Sequence, residues 1–373
     1  MSFNLLNTDA GARAGVLKTV HGEIQTPCFM PVGTQGTVKT LSTKDLKELG
    51  AQIVLSNIYH LYLRPGVEII KQAGGLHKFM AWDGPILTDS GGYQVFSIAE
   101  LVKVKKDAVY FQSHIDGSKH TLTPEDIIRI QKDFGVDIMM PLDECVAYPA
   151  EKDRAKQALD ITLDWAKRSK EVFTADLERQ TADQMLFGIV QGSTYPDLRR
   201  ECVNRLADIG FDGYALGGIS VGEPQELMYE IVKETASLLP EDRPRYLMGV
   251  GTPLDIIEAV RYGVDMFDCV VPTRNGRNGT AFTWQGKLNI SNAPYAKDFK
   301  PIDERCGCYA CKTYMRSYIR HLFNAGEILA LRLVSLHNLY FYASFMKELR
   351  RSIIDKKFAG FVKSFRTNYN KEV

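Results

Sequence analysis

The chain has 373 residues, of which 45% are hydrophobic, and its formal net charge is +1. This length is enough for two domains or one large barrel with a continuous core. No apolar run approaches the roughly 20 residues of a membrane span, and the N-terminal residues lack the layout of a secretory signal. The chain has seven cysteines, three of them clustered, which fits reduced thiols better than a disulfide framework. We therefore expect a cytoplasmic protein with no membrane association.

In chain order, eight short apolar runs alternate with stretches that are mostly amphipathic and helical. The runs are CFMPVG (28–33), QIVLSN (52–57), PILTDS (85–90), DIMMPLDE (137–144), LFGIVQG (186–192), YALGGIS (214–220), RYLMGVG (245–251) and MFDCVVPTR (266–274). Buried strands that alternate with helices predict a parallel sheet covered on both faces. Eight such units favour closure into a (β/α)8 TIM barrel, with an open doubly wound sheet as the alternative.

One insertion interrupts this pattern. Residues 101–123 alternate between polar and apolar side chains and turn at Asp116-Gly117. This pattern predicts a β-hairpin that lies beside the third unit of the barrel.

The charge is unevenly distributed along the chain. Residues 274–373 contain 18 Lys and Arg against 7 Asp and Glu, so this end carries +11 and the rest of the chain −10. A basic end is a candidate surface for nucleic acid, although a solvated basic surface explains the charge equally well. We predict a catalytic barrel over residues 1–290, a metal-binding subdomain over 291–345, and a C-terminal basic helix over 346–373 that packs on the barrel.

The polar residues that end the runs are the first candidates for chemistry, because the active site of such a barrel lies at the carboxyl ends of its strands. These residues are Asn57, Asp89-Ser90-Gly91-Gly92, Asp143-Glu144, Gln191-Gly192, Gly217-Gly218, Gly249-Val250-Gly251 and Asp268. Several carboxylates at one barrel mouth suit glycosyl chemistry, in which one attacks the sugar carbon and another moves a proton. For a single Asp, capping of a strand end would be the simpler explanation. Three at corresponding ends favour catalysis.

Asp268 and the residues after it form an informative segment, FDCVVPTRNGRNG. The apolar neighbours of Asp268 predict a poorly solvated carboxylate that can act as a nucleophile. Arg274 and Arg277 follow on what reads as a Gly-rich loop, which could contact phosphates. A flexible basic turn without a ligand is an equally good interpretation of this segment alone.

The cysteine cluster CGCYAC supplies three thiols, Cys306, Cys308 and Cys311, with the spacing of a metal site. The fourth ligand could be His321 or His337. On a helix that starts at Cys311, His321 would lie roughly 15 Å along the axis, out of reach of the same ion. A break at Asn324-Ala325-Gly326 and a return helix would bring His337 back. We expect one fully coordinated, structural Zn²⁺ per subunit.

These segments resemble tRNA-guanine transglycosylases over nearly the whole chain. The motifs that carry the resemblance are ILTDSGGYQVFS, MPLDEC, GIVQGS, YALGGISVGE, YLMGVG, FDCVVPTRNGRNG, and CGCYAC with a downstream His. The resemblance implies a TIM barrel with a zinc-binding subdomain. It also implies a pentosyltransferase that exchanges a guanine base in tRNA for a 7-deazaguanine through a covalent enzyme–RNA intermediate, without cutting the strand.

The resemblance also implies roles for individual residues. Asp268 corresponds to the nucleophile that attacks the ribose C1′, and Asp89 to the general acid/base; from their positions alone, either role suits either residue. The residues that correspond to the pocket around the edge of the base are Ser90, Asp143, Gln191, Gly217 and Gly218. Tyr93 and Met248 correspond to the two side chains that stack on either face of the base ring. His337 corresponds to the fourth zinc ligand.

Cys145 and Val221 match the bacterial members of the family, whose pocket takes preQ1. This similarity implies action on the wobble guanine of GUN anticodons, found in the tRNAs for Asp, Asn, His and Tyr, in queuosine biosynthesis, and it implies a homodimer. Two other classes are open. A barrel glycosidase would account for the carboxylates but not for the basic end or the cysteine cluster, and a non-catalytic RNA-binding subunit would not require all three carboxylates.

Overall fold

The computed structural model describes residues 2–98, 101–175 and 183–369. Its strands are β1 (Ser2–Asp9), β2 (Ala12–Thr19), β3 (Gly22–Thr26), β4 (Cys28–Met30), β5 (Val32–Gly33), β6 (Val54–Asn57), β7 (Ile86–Asp89), β8 (Lys103–Val104), β9 (Val109–Gln112), β10 (Lys119–Leu122), β11 (Ile138–Met139), β12 (Met185–Val190), β13 (Gly213–Leu216), β14 (Arg245–Leu247), β15 (Met266–Asp268), β16 (Thr280–Thr283) and β17 (Gly286–Asn289).

Helices surround these strands and form most of the C-terminal region. They are α1 (Thr43–Leu49), α2 (Ile58–Leu63), α3 (Val67–Gln72), α4 (Leu76–Met80), α5 (Gly92–Ile98), α6 (Pro124–Phe134), α7 (Lys152–Ala175), α8 (Pro196–Ile209), α9 (Gln225–Leu238), α10 (Pro253–Arg261), α11 (Val271–Arg277), α12 (Tyr309–Thr313), α13 (Arg316–Asn324), α14 (Ile328–Ile354), α15 (Phe358–Tyr369), and a 3₁₀ helix at Ala293–Lys297. None of these helices is long and apolar enough to cross a membrane.

The eight predicted runs form a parallel barrel, which confirms the (β/α)8 prediction. The strands are hydrogen-bonded in the order β5, β6, β7, β11, β12, β13, β14, β15, β4. The first run is divided into β4 and β5 because Pro31 lies between them and has no N–H to donate. β4 pairs with β15 and β5 pairs with β6, so the two halves of one run close the barrel.

A three-stranded antiparallel sheet, β1-β2-β3, precedes the barrel and is not anticipated by the eight-run pattern. Leu17 of β2 and Ile24 of β3 are cross-strand partners and are fully buried. Both pack into the cluster of side chains that fills the barrel, together with Leu55, Leu87 and Phe187. The sheet therefore covers the foot of the barrel, opposite the rim at which the strands end.

Local sequence signals fix the connections. α6 starts at Thr123, which forms a capping box with Asp126, and ends at Gly135 with a left-handed φ of 68°. The predicted hairpin is confirmed: β9 and β10 pair antiparallel on either side of the Asp116-Gly117 turn, and β8 adds a third strand.

The C-terminal region is organised by α14, a helix of 27 residues. It packs on α11, α13 and β16, and on β1, β2 and β4 of the N-terminal part of the chain. The subdomain boundary predicted at 345/346 falls inside this helix, and residues 370–373 of the predicted C-terminal segment lie outside the described residues. The three-part division of the chain stays a prediction.

Close packing between α11 and α14 generates a stability prediction. A Cβ at Gly276 would lie 2.8 Å from the backbone nitrogen and Cα of Ser335, so Gly276→Ala forces the two helices apart. We expect the free energy of unfolding to fall by ~1–3 kcal/mol in urea titrations. Gly360→Ala on α15 is the matched control, because nothing lies within 4 Å of its Cβ position. Gly360→Ala should raise the free energy of unfolding by ~0.5–1 kcal/mol. Equal free energies of unfolding for Gly276→Ala and the unmodified protein would contradict the packing argument.

Candidate functional site

Three carboxylates predicted from the sequence lie on the same rim of the barrel. Asp89 is the last residue of β7 and Asp268 the last of β15, while Asp143 lies four residues beyond the end of β11. β11 is short because Pro141 follows it and cannot continue the ladder of hydrogen bonds. The parallel arrangement of the strands brings these chain positions, which are far apart in sequence, to one mouth.

Asp89 is held by three donors and has a strongly shifted pKa. Asn57 Nδ2 donates to its Oδ2 at 2.5 Å, and the backbone N–H groups of Ile58 and Gly91 donate to its Oδ1 at 3.2 Å each. Burial raises the pKa of Asp89 to about 7, the charges of the two other carboxylates add to the rise, and the backbone donors oppose it. This carboxyl group can therefore gain or lose a proton near neutral pH.

Asp268 accepts two short hydrogen bonds at one oxygen. Tyr246 Oη donates to Oδ1 at 2.6 Å, and the backbone N–H of Gly249 donates to the same atom at 2.8 Å. Burial raises the pKa of Asp268, and these two donors act in the opposite direction. Tyr246 was not among the site residues predicted from the sequence. The feature that could have indicated it is a tyrosine within the apolar run RYLMGVG, two positions before Met248 and therefore on the same face of the strand.

Asp143 and Gln191 form a second polar pair in the mouth. Gln191 Nε2 donates to Asp143 Oδ2 at 2.7 Å, and Ser90 Oγ donates to Oδ1 at 3.4 Å. Burial raises the pKa of Asp143 to about 6. Gln191 Oε1 is buried without a hydrogen-bond partner among the described residues, and a Cβ at Gly218 would lie 2.2 Å from it. The pair thus offers acceptors for the N–H groups of a ligand, and only glycine fits at position 218.

The glycines of this pocket are supported from behind by Arg199, a residue of α8 that the sequence analysis did not select. Its guanidinium is buried and donates Nη2 to the carbonyl oxygens of Gly217 at 3.0 Å and Gly218 at 3.3 Å. Nε donates to the carbonyl oxygen of Ser193 at 2.7 Å. In the sequence, Arg199 is one of two adjacent arginines on an amphipathic helix, which carries no signal of burial.

The two residues predicted to sandwich a ring differ in exposure. The side chain of Tyr93, in the first turn of α5, is 54% exposed, while Met248 packs against the cluster inside the barrel. Tyr93 follows Gly92, whose Cβ position would lie 2.9 Å from the carbonyl oxygen of Asp143. Tyr93 therefore lies next to the polar pair, and the sandwich itself stays a prediction.

The prediction of a Gly-rich loop for Arg274 and Arg277 is wrong: both lie on α11. The helix forms because Pro272 occupies its first turn and because Gly276 allows close contact with Ser335. Arg274 is exposed and Arg277 half-buried, and neither forms an ion pair within the described part of the chain. Nη1 of Arg277 is buried without a hydrogen-bond partner there. The helix therefore presents two cationic groups that no carboxylate of the described residues neutralises.

The predicted metal ligands converge on one point. One ligand atom from each of Cys306, Cys308, Cys311 and His337 lies within 4.8 Å of the others. His337 Nδ1 is 3.3 Å from Sγ of Cys311 and 3.7 Å from Sγ of Cys308. Tetrahedral zinc with bonds of about 2.0–2.3 Å requires spacings of this size. The other ring nitrogen, Nε2, lies 2.8 Å from the carbonyl oxygen of Phe282. If Nε2 carries the proton, Nδ1 is free for a metal.

The electrostatics of the cluster also fit a cation. Hydrogen bonds from Cys306 and Cys311 lower the pKa of Cys308, whereas the pKa of Cys306 is raised by its hydrogen bond to the same sulfur. Three crowded sulfurs cannot all ionise unless a positive charge compensates them, so the donor set matches a metal such as zinc. His321 lies exposed on α13 and is not part of the cluster.

The fold and the rim of carboxylates define a barrel enzyme of the glycosyl-transferring type with a separate metal-binding cluster. Comparison with known proteins identifies the family of this enzyme. The family model described as TGT, queuine tRNA-ribosyltransferase, matches residues 9–371. A queuine tRNA-ribosyltransferase of Caldanaerobacter subterraneus subsp. tengcongensis is 57% identical over 99% of this chain and 98% of its own length. The protein of that name from Lawsonia intracellularis is 55% identical over 94% of each chain. This chain belongs to the queuine tRNA-ribosyltransferase family, which are pentosyltransferases.

The choice between the two histidines can be tested by mutation. In His337→Ala we expect the full-length protein to lose its bound metal and to unfold several degrees lower, because a structural metal contributes directly to folding. His321→Ala is the matched control and should retain both metal content and melting temperature. Metal analysis of the purified proteins and thermal unfolding measure the two effects. A His337→Ala protein with full metal content would contradict the ligand assignment.

Proposed function

We propose that this protein is a tRNA-guanine transglycosylase that exchanges the wobble guanine of GUN-anticodon tRNAs for preQ1. The observation that carries the proposal is the convergence of Asp89, Asp143 and Asp268 at one barrel mouth, in a chain that matches the family over almost its full length. Cys145 and Val221 support preQ1 as the incoming base through their similarity to the bacterial pattern. Guanine is the base released, and the tRNAs for Asp, Asn, His and Tyr are the expected substrates.

In the proposed reaction, Asp268 is the nucleophile. Its carboxylate attacks C1′ of the ribose, a C1′–O bond forms, and the C1′–N9 bond to guanine breaks. The electron pair leaves with guanine, which takes a proton from Asp89. PreQ1 then loses a proton to Asp89, and its N9 attacks C1′ and displaces the Asp268 carboxylate. Two displacements give retention at C1′ and ping-pong kinetics. The hydrogen bonds from Tyr246 and Gly249 to one oxygen support this role, because they hold the carboxylate in one orientation.

The electrostatics of the mouth support the assignment of Asp89 as the acid/base. A carboxyl group with a pKa of about 7 exists in both protonation states near neutral pH, as proton transfer in both directions requires. The charge of Asp268 is one cause of the raised value. When Asp268 bonds to C1′ and loses its charge, that contribution disappears and Asp89 becomes a stronger acid, so the nucleophilic step favours release of the proton to guanine.

The base itself would be bound by the pair Asp143 and Gln191. A purine that has left its stack needs hydrogen bonds to its edge and a ring stacked on each face. The unsatisfied Gln191 Oε1 and the Asp143 carboxylate supply acceptors for the N–H groups of guanine, and Ser90 holds Asp143 in place. Gly217 and Gly218 would offer backbone groups, while Tyr93 and Met248 would stack on the ring.

We further propose that the two arginines of α11 contact the phosphates of the tRNA, because α11 begins three residues after Asp268 and neither arginine has an ion-pair partner among the described residues. The Cys3His cluster is proposed to hold one zinc ion per subunit with a structural role, since three Cys and one His leave no open position for substrate. A homodimer and a cytoplasmic location are further parts of the proposal. They rest on resemblance to the family.

A barrel glycosidase remains the second candidate from the carboxylates alone. The Cys3His cluster, the uncompensated arginines and the match to the family over residues 9–371 favour the RNA substrate. A non-catalytic RNA-binding subunit would not need Asp89, Asp143 and Asp268 to share one mouth.

Incorporation of labelled guanine into unmodified tRNA tests the activity, and Asp268→Asn tests the nucleophile. We expect the unmodified protein to label the tRNA and to form a complex with it that survives denaturing electrophoresis. Asp268→Asn should form no such complex and should lose activity by roughly 10³-fold or more. Asp242→Asn is the control, because this side chain is 74% exposed. Absence of labelling by the unmodified protein would refute the function, and a denaturant-resistant complex with Asp268→Asn would refute the nucleophile.

The pKa of Asp89 predicts a pH dependence. The proton that guanine receives is present on Asp89 below a pH of about 7 and is lost above it. The rate of covalent-complex formation under single-turnover conditions should therefore decline above this pH, by roughly tenfold per unit. Asp89→Asn should be slower by roughly 10²- to 10⁴-fold, and its rate should no longer decline at high pH. A decline of unchanged steepness in Asp89→Asn would assign the titration to another group.

A further inference from the structure

A second cluster of potential metal ligands lies at the foot of the barrel, on the side opposite the mouth. His21 lies in the turn between β2 and β3, His77 in α4, and Asp137 immediately before β11. The three residues come from the N-terminal sheet, a connecting helix and the barrel itself. They play no part in the reaction proposed above, and the inference that follows does not depend on it.

Asp137 is the fixed centre of this cluster. Its side chain is fully buried. The backbone N–H of Ile86 donates to Oδ2 at 2.9 Å and that of His21 to Oδ1 at 3.3 Å. His21 Nδ1 lies 3.0 Å from Oδ1, and His77 Nε2 lies 3.2 Å from Oδ2. Each carboxylate oxygen therefore faces one imidazole nitrogen and one backbone donor.

The two imidazoles are stacked on each other, with centroids 3.7 Å apart and planes 19° from parallel. Both rings present a nitrogen to the same carboxylate, at 3.0 Å and 3.2 Å. A single dication between the two ring nitrogens and the carboxylate oxygens would bind all three groups at once.

The position of the His77 ring also favours a shared metal ion. Within the described residues, the buried Nε2 has no hydrogen-bond partner, although Asp137 Oδ2 is only 3.2 Å away, because the geometry between them is not that of a hydrogen bond. Two ligands of one metal ion show this relation, since their lone pairs converge on a third point. His21 Nδ1, in contrast, lies in hydrogen-bond geometry to Asp137 Oδ1 at 3.0 Å. One ligand atom from each of the three residues lies within 4.8 Å of the others.

We propose that His21, His77 and Asp137 form a second metal site, which takes a divalent ion of the zinc, cobalt or nickel type. Two imidazoles and one carboxylate favour such ions over Mg²⁺ or Ca²⁺, which prefer oxygen ligands. The side chain of His21 is 36% exposed, so an ion and the water that completes its coordination can reach the site. With three ligands and no thiolate, the site binds more weakly than the Cys3His cluster and fills after it.

An ion at this site joins the β2–β3 turn to α4 and to the N-terminal end of β11. The N-terminal sheet covers the barrel foot by inserting Leu17 and Ile24, and the ion adds a cross-link between chain positions that are 56 and 60 residues apart. Because the unfolded chain lacks the preformed site, binding stabilises the folded state. The role is structural and concerns the foot of the barrel only.

Metal stoichiometry of the full-length protein tests the proposal. The protein with its Cys3His cluster filled by one equivalent of Zn²⁺ is titrated with further Zn²⁺ or with Co²⁺, and bound ions are counted after removal of free metal. We expect two equivalents for the unmodified protein and for His321→Ala, and one for His21→Ala. Replacement of the half-exposed His21 disturbs packing least, and His77→Asn serves as the second variant. Zn²⁺ beyond one equivalent should raise the melting temperature of the unmodified protein but not that of His21→Ala.

Cobalt identifies which site is filled. The second equivalent should give ligand-field absorption without the thiolate charge-transfer band that the Cys3His site produces, and this increment should be absent in both variants. One equivalent in the unmodified protein, or a second equivalent that persists in His21→Ala and His77→Asn, overturns the proposal. In that case the three residues are a proton-linked ion-pair cluster.

Discussion

The pairing of β4 with β15 is the contact on which the rest of the structure depends. It closes the barrel, and its register sets Asp268 opposite Met30 at the rim. The same run must also pair with β6 on its other side, which Pro31 permits by dividing it into two short strands. An open sheet of the same eight runs would leave Asp268 on β15 and Asp89 on β7 five strand steps apart, whereas the closed barrel also connects them by the shorter path through β4/β5 and β6. Closure is therefore what turns carboxylates at distant chain positions into neighbours.

Bringing carboxylates together in a poorly solvated mouth lowers the free energy of unfolding, and the raised pKa values of these groups reflect this effect. The values for Asp89 and Asp143 rise to about 7 and about 6, with burial as the largest cause in each case. A folded-state pKa above the unfolded value means that the contribution to stability is full at low pH and is lost as pH rises through the folded value. The mouth is thus least favourable to folding above a pH of about 7, where Asp89 and Asp143 are both ionised. The buried apolar interior of the barrel offsets this cost.

Much of this arrangement can be predicted from the sequence, and the exceptions have physical causes. The barrel and the carboxylates are predictable because strand runs and their polar ends are local signals. The cysteine cluster is local too, and helix length selects His337. Tyr246 and Arg199 are not predictable in this way, since each acts through a contact between segments about 20 residues apart: Tyr246 with Asp268, and Arg199 with Gly217. The helix over RNGRNG also cannot be predicted from the local sequence, because it depends on the packing of Gly276 against α14, which lies far along the chain.

α14 explains how a metal cluster without substrate contacts can still affect the mouth. His337 binds at the cluster, and the next residue, Asn338, donates to the carbonyl oxygens of Pro272 in α11 and Thr280 in β16 at 2.9 Å each. One turn further, Tyr342 Oη donates at 2.6 Å to the carbonyl oxygen of Gly251, in the loop whose Gly249 binds Asp268. One face of a single helix therefore contacts the metal cluster, the helix with the two arginines, and the loop that orients the proposed nucleophile. Because a helix is rigid over two turns, displacement of His337 moves the other two contacts with it. On the proposed function, a metal ion held by the cluster would act indirectly, by fixing the position of the two arginines of α11 relative to Asp268.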